Sequence, residues 1–200
     1  MKFRTYLLFG SPGSGKGTQG KIIGTIPGFF HMACGEVFRA LDLRSELGKV
    51  FLEYSSKGHL VPDDFTLKLW HQQIKNMQVM GRFKPEIDHL VLDGIPRNIN
   101  QAKLLDVHSQ VIKVFHLQCP SRPKLVERLK RRALKDNRLD DANEEVIKQR
   151  LAVYDSESMP VLEFYGDRVI NIDATIYPYK VLREILQHIN TDAATEQPAS

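Results

Sequence analysis

Four short apolar runs punctuate the chain, at 3–9, 90–92, 111–117 and 169–172. Each is too short for a helix and reads as a strand buried on both faces. Helical patterns follow them over 15–26, 98–106, 121–135 and 178–189. Strand alternating with helix predicts an α/β fold, a parallel sheet wrapped by helices. Two stretches break the alternation. Residues 34–77 read as a run of helices without a strand of comparable strength, and 132–142 as a polar, charged excursion between two helices. Each is expected to be an insertion that closes over a ligand. The last ten residues, 191–200, are small and polar and predict a disordered tail. No internal repeat is present.

Composition narrows this picture only slightly. Two hundred residues suit one domain with small insertions. No apolar run approaches the ~20 residues of a membrane span, which argues against membrane insertion. Met1-Lys2-Phe3-Arg4 leads straight into the first strand, so no signal peptide is expected. Cys34 and Cys119 stand apart, with no Cys-x-x-Cys, so neither a zinc site nor a disulfide scaffold is predicted. A reducing cytoplasm fits. The net charge of +4 admits a nucleic acid or a polyanionic small molecule as partner. The basic residues concentrate between Arg122 and Arg150, interleaved with acids and without alternating aromatics, which argues against nucleic acid.

The chemistry is concentrated in Gly10-Ser-Pro-Gly-Ser-Gly-Lys-Gly-Thr18. An apolar strand precedes it and a helix follows, the setting of a phosphate-binding loop. Its glycines let backbone N–H groups converge on a phosphate, and the helix N-terminus adds positive potential there. Lys16 supplies a full charge for the outer phosphates of a nucleoside triphosphate. The residue after that lysine would ordinarily be Ser or Thr, a magnesium ligand. Here it is Gly17, with Thr18 one place later. The metal then has to be held by phosphates, by waters or by a carboxylate elsewhere.

A second constellation runs from Asp93 to Gln101. Asp93 ends an apolar strand, where ligands gather in open α/β sheets. It reads either as a holder of waters around magnesium or as a turn residue with Gly94. Arg97 follows a rigid turn and can fork onto a phosphate. Gln101, four residues on, carries a donor and an acceptor that suit a base edge; taken alone it reads first as a surface glutamine. Arg128 and Arg132 share a helix face that reads either as a site or as a solvated surface.

Taken together these motifs resemble the adenylate kinases, within the nucleoside monophosphate kinases. Further matching pieces are His31-Met-Ala-Cys-Gly-Glu-Val-Phe-Arg39, Lys57-Gly-His-Leu-Val-Pro62, Asp93-Gly-Ile-Pro-Arg97 with Gln101-Ala102, and Arg128 to Arg132 with Arg138, Asp140-Asp141 and Arg150. The resemblance implies a P-loop kinase fold: a five-stranded parallel sheet flanked by helices, with a helical acceptor-binding insertion and a short lid. It implies one domain over 1–190, with core 1–32, 64–127 and 143–190, insertion 33–63 and lid 128–142. It implies the reaction ATP + AMP ⇌ 2 ADP with Mg2+, no zinc, and a monomer. It places Gly10, Pro12, Gly13, Ser14, Gly15, Lys16, Gly17, Thr18 and Arg128 on ATP. It places Cys34, Gly35, Arg39, Leu60, Val61, Gly94, Arg97 and Gln101 on AMP. Lys16, Arg132, Arg138 and Arg150 are the catalytic charges, and Asp93 holds Mg2+ through water. Four positions depart from the family pattern: Cys34 stands for a threonine, Glu36 for an aspartate, Ile95 for an aromatic residue, and Ala142 is an extra residue. Asn98 resembles the pyrimidine-specific members, so a UMP/CMP kinase is the alternative, with a non-catalytic nucleotide-binding protein behind it.

Overall fold

In a computed structural model the structure describes residues 2–136, 141 and 143–193. The chain runs β1 (Phe3–Phe9), α1 (Lys16–Ile23), β2 (Phe29–Ala33), α2 (Cys34–Arg39), α3 (Glu46–Ser55), α4 (Asp63–Val79) and β3 (His89–Asp93). It continues through α5 (Ile99–His108), β4 (Ser109–Gln118), α6 (Arg122–Asp136), α7 (Glu144–Val153), a π-helical turn (Tyr154–Ser158), α8 (Pro160–Tyr165), β5 (Val169–Asp173) and α9 (Pro178–Ala193). The five strands form one sheet in the order β2-β3-β1-β4-β5, every pairing parallel. No helix among the described residues is long and apolar enough to cross a membrane.

Both faces of the sheet are covered, as its continuous apolar strands require. Side chains alternate along β1. Leu7 and Phe9 point into one core layer with Trp70 and Ile74 of α4, Leu105 of α5 and Tyr165 of α8. Tyr6 and Leu8 point into the other, with Ile23 of α1 and Val181 and Ile185 of α9. A smaller cluster joins α6 to α7 through Leu125, Leu129, Ile147 and Leu151.

The structure differs from the sequence pattern in four places. Strand β2, Phe-Phe-His-Met-Ala, carries a central histidine and only five residues, so no apolar run announced it. Helix α6 runs to Asp136, one residue past the expected 121–135 pattern, so the first five residues of the polar stretch 132–142 are helical, because Arg-Ala-Leu-Lys are good helix formers. Helix α9 reaches Ala193, which corrects the tail predicted from 191; positions 194–200 lie outside the described residues. The strongly amphipathic pattern of α9 carries the helix past the point where composition turns polar. The π turn after α7 had no sequence signal at all.

The topology opens a crevice. Helix α1 leads from β1 toward β2, whereas α5 leads from β3 across to β4. The loops after β1 and β3 therefore part, and ligands bind where they part in such sheets.

Candidate functional site

A cleft of about 800 Å³ lies across the C-terminal ends of the strands. Every site residue expected from the sequence and described in the structure lines it, from Gly10 and Pro12–Thr18 through Cys34, Gly35, Arg39, Leu60 and Val61 to Asp93, Gly94, Arg97, Gln101, Arg128, Arg132 and Arg150. Arg138, Asp140 and Ala142 lie outside the described residues.

The loop after β1 takes its shape from glycine. Gly10 has φ 143°, and a Cβ there would sit 2.6 Å from the Leu117 carbonyl and 2.7 Å from Ser14 Oγ. Gly15 caps α1 at φ 106°, which leaves the Lys16 and Gly17 amides at the open end of the helix. Lys16 Nζ donates to the Gly10 carbonyl at 2.6 Å and the Ser11 carbonyl at 3.1 Å. Burial lowers the Lys16 pKa to about 8; Asp93 pulls it up, and Arg97, Arg132 and Arg150 push it further down. Lys16 and three arginines thus lie within electrostatic reach of one another, the excess of positive charge that a polyanion site requires.

Asp93 faces Gly17. A Cβ on Gly17 would stand 3.5 Å from Asp93 Oδ2, with no side chain between. The missing loop hydroxyl leaves the carboxylate facing glycine backbone at the lining of the cleft. A hard oxygen donor with room for water suits magnesium, which retains several waters and takes one or two carboxylates. The residues fit the ion. Among the described residues no group of three His, Cys, Asp or Glu could hold a metal, and both cysteines are buried and free.

At the β2–β3 end, Gly94 and Gly35 face each other: a Cβ on Gly94 would lie 3.4 Å from Arg97 Nη2 and 3.9 Å from the Gly35 amide. A Cβ on Gly35 would lie 3.2 Å from Arg39 Nη2. Both guanidinium groups therefore border the same small gap. Arg97 Nε donates to the Gly94 carbonyl at 2.8 Å, which fixes its fork. Ser158 Oγ, from the π turn, donates to the Arg97 carbonyl at 2.7 Å. Gln101 is buried rather than a surface residue. Its Oε1 accepts from the Arg97 N–H at 2.8 Å. Burial pushes the Cys34 thiol up to about 11, so it stays neutral and presents a small, weakly polar wall.

At the β4–β5 end, Arg128 Nη2 donates to the Ala174 carbonyl at 3.1 Å, beside Ile176 and Pro178. Arg132 is held by Asp141: its Nε and Nη2 stand 2.7 and 2.6 Å from Oδ2. Arg150 Nη1 donates to Oδ1 of the same acid. Asp141 is fully buried between them. Gly58 packs the stretch between α3 and α4 onto α7: its Cβ would meet the Val146 carbonyl at 2.9 Å and Arg150 Cγ at 3.1 Å.

Several contributors were not legible in the sequence. Tyr154 lines the cleft from the π turn, and its hydroxyl lies 3.1 Å from His116 Nε2. Burial keeps His116 below its usual pKa, so the neutral ring donates from Nδ1 to Asn171 Oδ1 at 2.9 Å. Arg131 also lines the cleft while pairing with Glu127. Among the departures, Glu36 reaches Lys21 at 2.8 Å, and Ile95 is buried in the core. Asn98 caps α5 by accepting from the Gln101 N–H at 2.8 Å, and its Nδ2 donates to Asp63 at 2.9 Å. Its amide is committed to the helix start.

A family model for adenylate kinase matches residues 8–170, well over half of the chain. The chain belongs to the adenylate kinase family. An adenylate kinase of Porphyromonas gingivalis is 36% identical over 165 residues, covering 80% of this chain and 80% of its own. One from Cyanothece sp. is 34% identical over 191 residues, covering 92% and 93%. One from Corynebacterium urealyticum is 35% identical over 176 residues, covering 84% and 89%. Membership of the adenylate kinase family makes the chain a transferase, a nucleotide-binding nucleoside monophosphate kinase. The five-stranded parallel sheet flanked by helices accords with that family's P-loop kinase fold.

Proposed function

We propose that this enzyme transfers the terminal phosphoryl group of ATP to AMP, reversibly, giving two ADP. The observation that carries this reading is the continuity of one cleft from the Gly10–Thr18 loop to the buried Gln101, with Arg97, Arg132 and Arg150 between. An α-phosphate oxygen of AMP attacks the γ-phosphorus of ATP. The bond from that phosphorus to the β–γ bridging oxygen breaks, and its electron pair stays on the new ADP. The attacking oxygen is already an anion, so no general base is needed. Positioning and neutralisation of charge carry the catalysis.

The loop amides and Lys16 take the donor phosphates, Lys16 exchanging the Gly10 and Ser11 carbonyls for phosphate oxygens. Arg128 lies along the donor base, Arg39 and Arg97 grip the acceptor phosphate, and Arg132, Arg150 and Arg138 surround the transferred group. Leu60, Val61, Cys34 and Gly35 wall the acceptor, and Gln101 meets its base. Magnesium, when bound, would neutralise charge on the donor phosphates, and Asp93 would hold it through water. Closure of the 33–63 insertion and the 128–142 lid over both nucleotides excludes water, which protects ATP from hydrolysis.

The test is a coupled assay offering AMP, CMP, UMP and GMP separately, with ATP and Mg2+. AMP should give the highest kcat/KM. A value for CMP or UMP equal to or above that for AMP would replace this reading with a pyrimidine monophosphate kinase.

A further inference from the structure

Behind the acceptor end of the cleft, two helix starts share a hydrogen-bonded knot. Asp63 opens α4, Asn98 caps α5, and Asn100 and Gln101 lie in the first turn of α5. Asp63 Oδ1 accepts from Gln101 Nε2 at 2.8 Å and from Asn98 Nδ2 at 2.9 Å. Its Oδ2 accepts from Asn100 Nδ2 at 2.6 Å. On the far side, Gln101 Oε1 accepts from the Arg97 N–H at 2.8 Å.

A primary amide turned end for end keeps its shape and exchanges donor for acceptor. Gln101 is held against that turn at both ends. A carboxylate only accepts, and a backbone N–H only donates. Turning the amide would set its oxygen against Asp63 and its NH2 against the Arg97 N–H. Burial pushes the Asp63 carboxyl up, but the three amide donors outweigh it and hold the group below its usual range, so it stays charged at neutral pH. After these contacts, Gln101 retains one N–H and one lone pair.

We propose that Asp63 is a positioning residue for the choice of acceptor base: it locks the Gln101 amide so that the site takes a 6-aminopurine monophosphate and rejects the 6-oxo analogue. The inference rests on the reading that Gln101 meets the acceptor base. A 6-aminopurine presents a ring acceptor beside an exocyclic donor. A 6-oxopurine presents a ring donor beside an exocyclic acceptor. A free amide serves either by turning over, whereas a locked one serves the first alone. Asn98 and Asn100 hold the carboxylate in place in turn.

The experiment compares AMP with IMP, which differ only at that edge, as acceptors for ATP. The readout is the ratio of their kcat/KM values in the unaltered protein, Asp63→Asn, Asp63→Ala and Asn100→Ala. Within one preparation the ratio cancels the fraction of folded enzyme. Asp63→Asn, which can donate as well as accept, should lower the AMP preference by about tenfold or more, the scale of one lost charge-assisted contact. The change should appear in KM for both acceptors. Asn100→Ala should lower the ratio by about threefold, because it loosens the carboxylate without touching Gln101. If both Asp63 variants fail to fold, an unchanged ratio in Asn100→Ala overturns the lock. AMP turnover with unchanged ratios across the set would leave Asp63 as a helix-start residue only. No turnover of AMP by the unaltered protein would overturn the parent reading and the lock together.

Discussion

Asp141→Asn tests the anchoring of the two arginines most directly. Asp141 is fully buried, and its carboxylate meets both Arg132 and Arg150, whose side chains are 31% and 16% exposed. The substitution keeps the shape, removes the buried charge that both guanidinium groups meet, and turns one acceptor into a donor facing a guanidinium. Breaking a buried ion pair costs ~3–5 kcal/mol. Because Arg132 is a third exposed, solvent screens part of this, and ~2–4 kcal/mol is the expected loss. At this chain length each kcal/mol lowers Tm by ~2–4 °C, so a drop of roughly 5–15 °C should appear in thermal denaturation. If both arginines meet the transferred phosphoryl group, their displacement should also lower kcat by ~10–10², or 1.4–2.7 kcal/mol. A non-hydrolysable mimic of both nucleotides joined through phosphates should recover part of the lost Tm, since its oxygens replace the missing anion. A Tm within 1 °C of the unaltered protein, with kcat unchanged, would show that the acid neither anchors the pair nor serves turnover.

Lys16→Met should lower kcat by at least ~10² while leaving the fold intact, because its hydrogen bonds to the Gly10 and Ser11 carbonyls lie within its own loop; wild-type turnover would remove Lys16 from catalysis. The free-enzyme lysine titrates near 8 and must be charged to bind phosphate, so kcat/KM for ATP should fall as pH rises through about 8 and hold steady below it. Lys16→Arg should flatten that limb; an unchanged limb in the variant would assign it to another group. Gly20→Ala should destabilise the protein by ~1–3 kcal/mol, because its Cβ would stand 2.2 Å from His31 Nε2. Denaturant titration checks this, and His31→Ala in the same chain should recover most of the loss.

Strands β1, β3, β4 and β5 were legible because each is an apolar run that a two-sided core demands. β2 was not, since His31 in the middle of Phe-Phe-His-Met-Ala interrupts what would otherwise be an apolar run. The phosphate loop was legible as a motif because its glycines have no packing substitute. Lys16, Asp93, Arg97 and Gln101 could be singled out by type and spacing. Their partners could not: Asp63 lies 38 residues from Gln101, and Ser158 lies 61 from Arg97. Asn98 shows the opposite failure. Its residue type suggested base recognition, but the helix start takes both ends of its amide. Long-range hydrogen bonds leave no periodic trace in a sequence.

The position of β1 in the centre of the sheet has a consequence for how the enzyme can change. Cys34, Gly94 and Gln101 hang from elements following β2 and β3, on one side of it, while Arg128 and Ala174 follow β4 and β5 on the other. On the proposed function, the acceptor and donor halves are built from separate stretches of chain, which meet over the loop after β1, where Gly58 packs on Val146 and Arg150, and where Ser158 bonds the Arg97 carbonyl. Side chains that share no partner contribute nearly additively. Acceptor preference can therefore drift through the β2–β3 side while donor preference stays fixed, and two such changes combined should show almost no coupling.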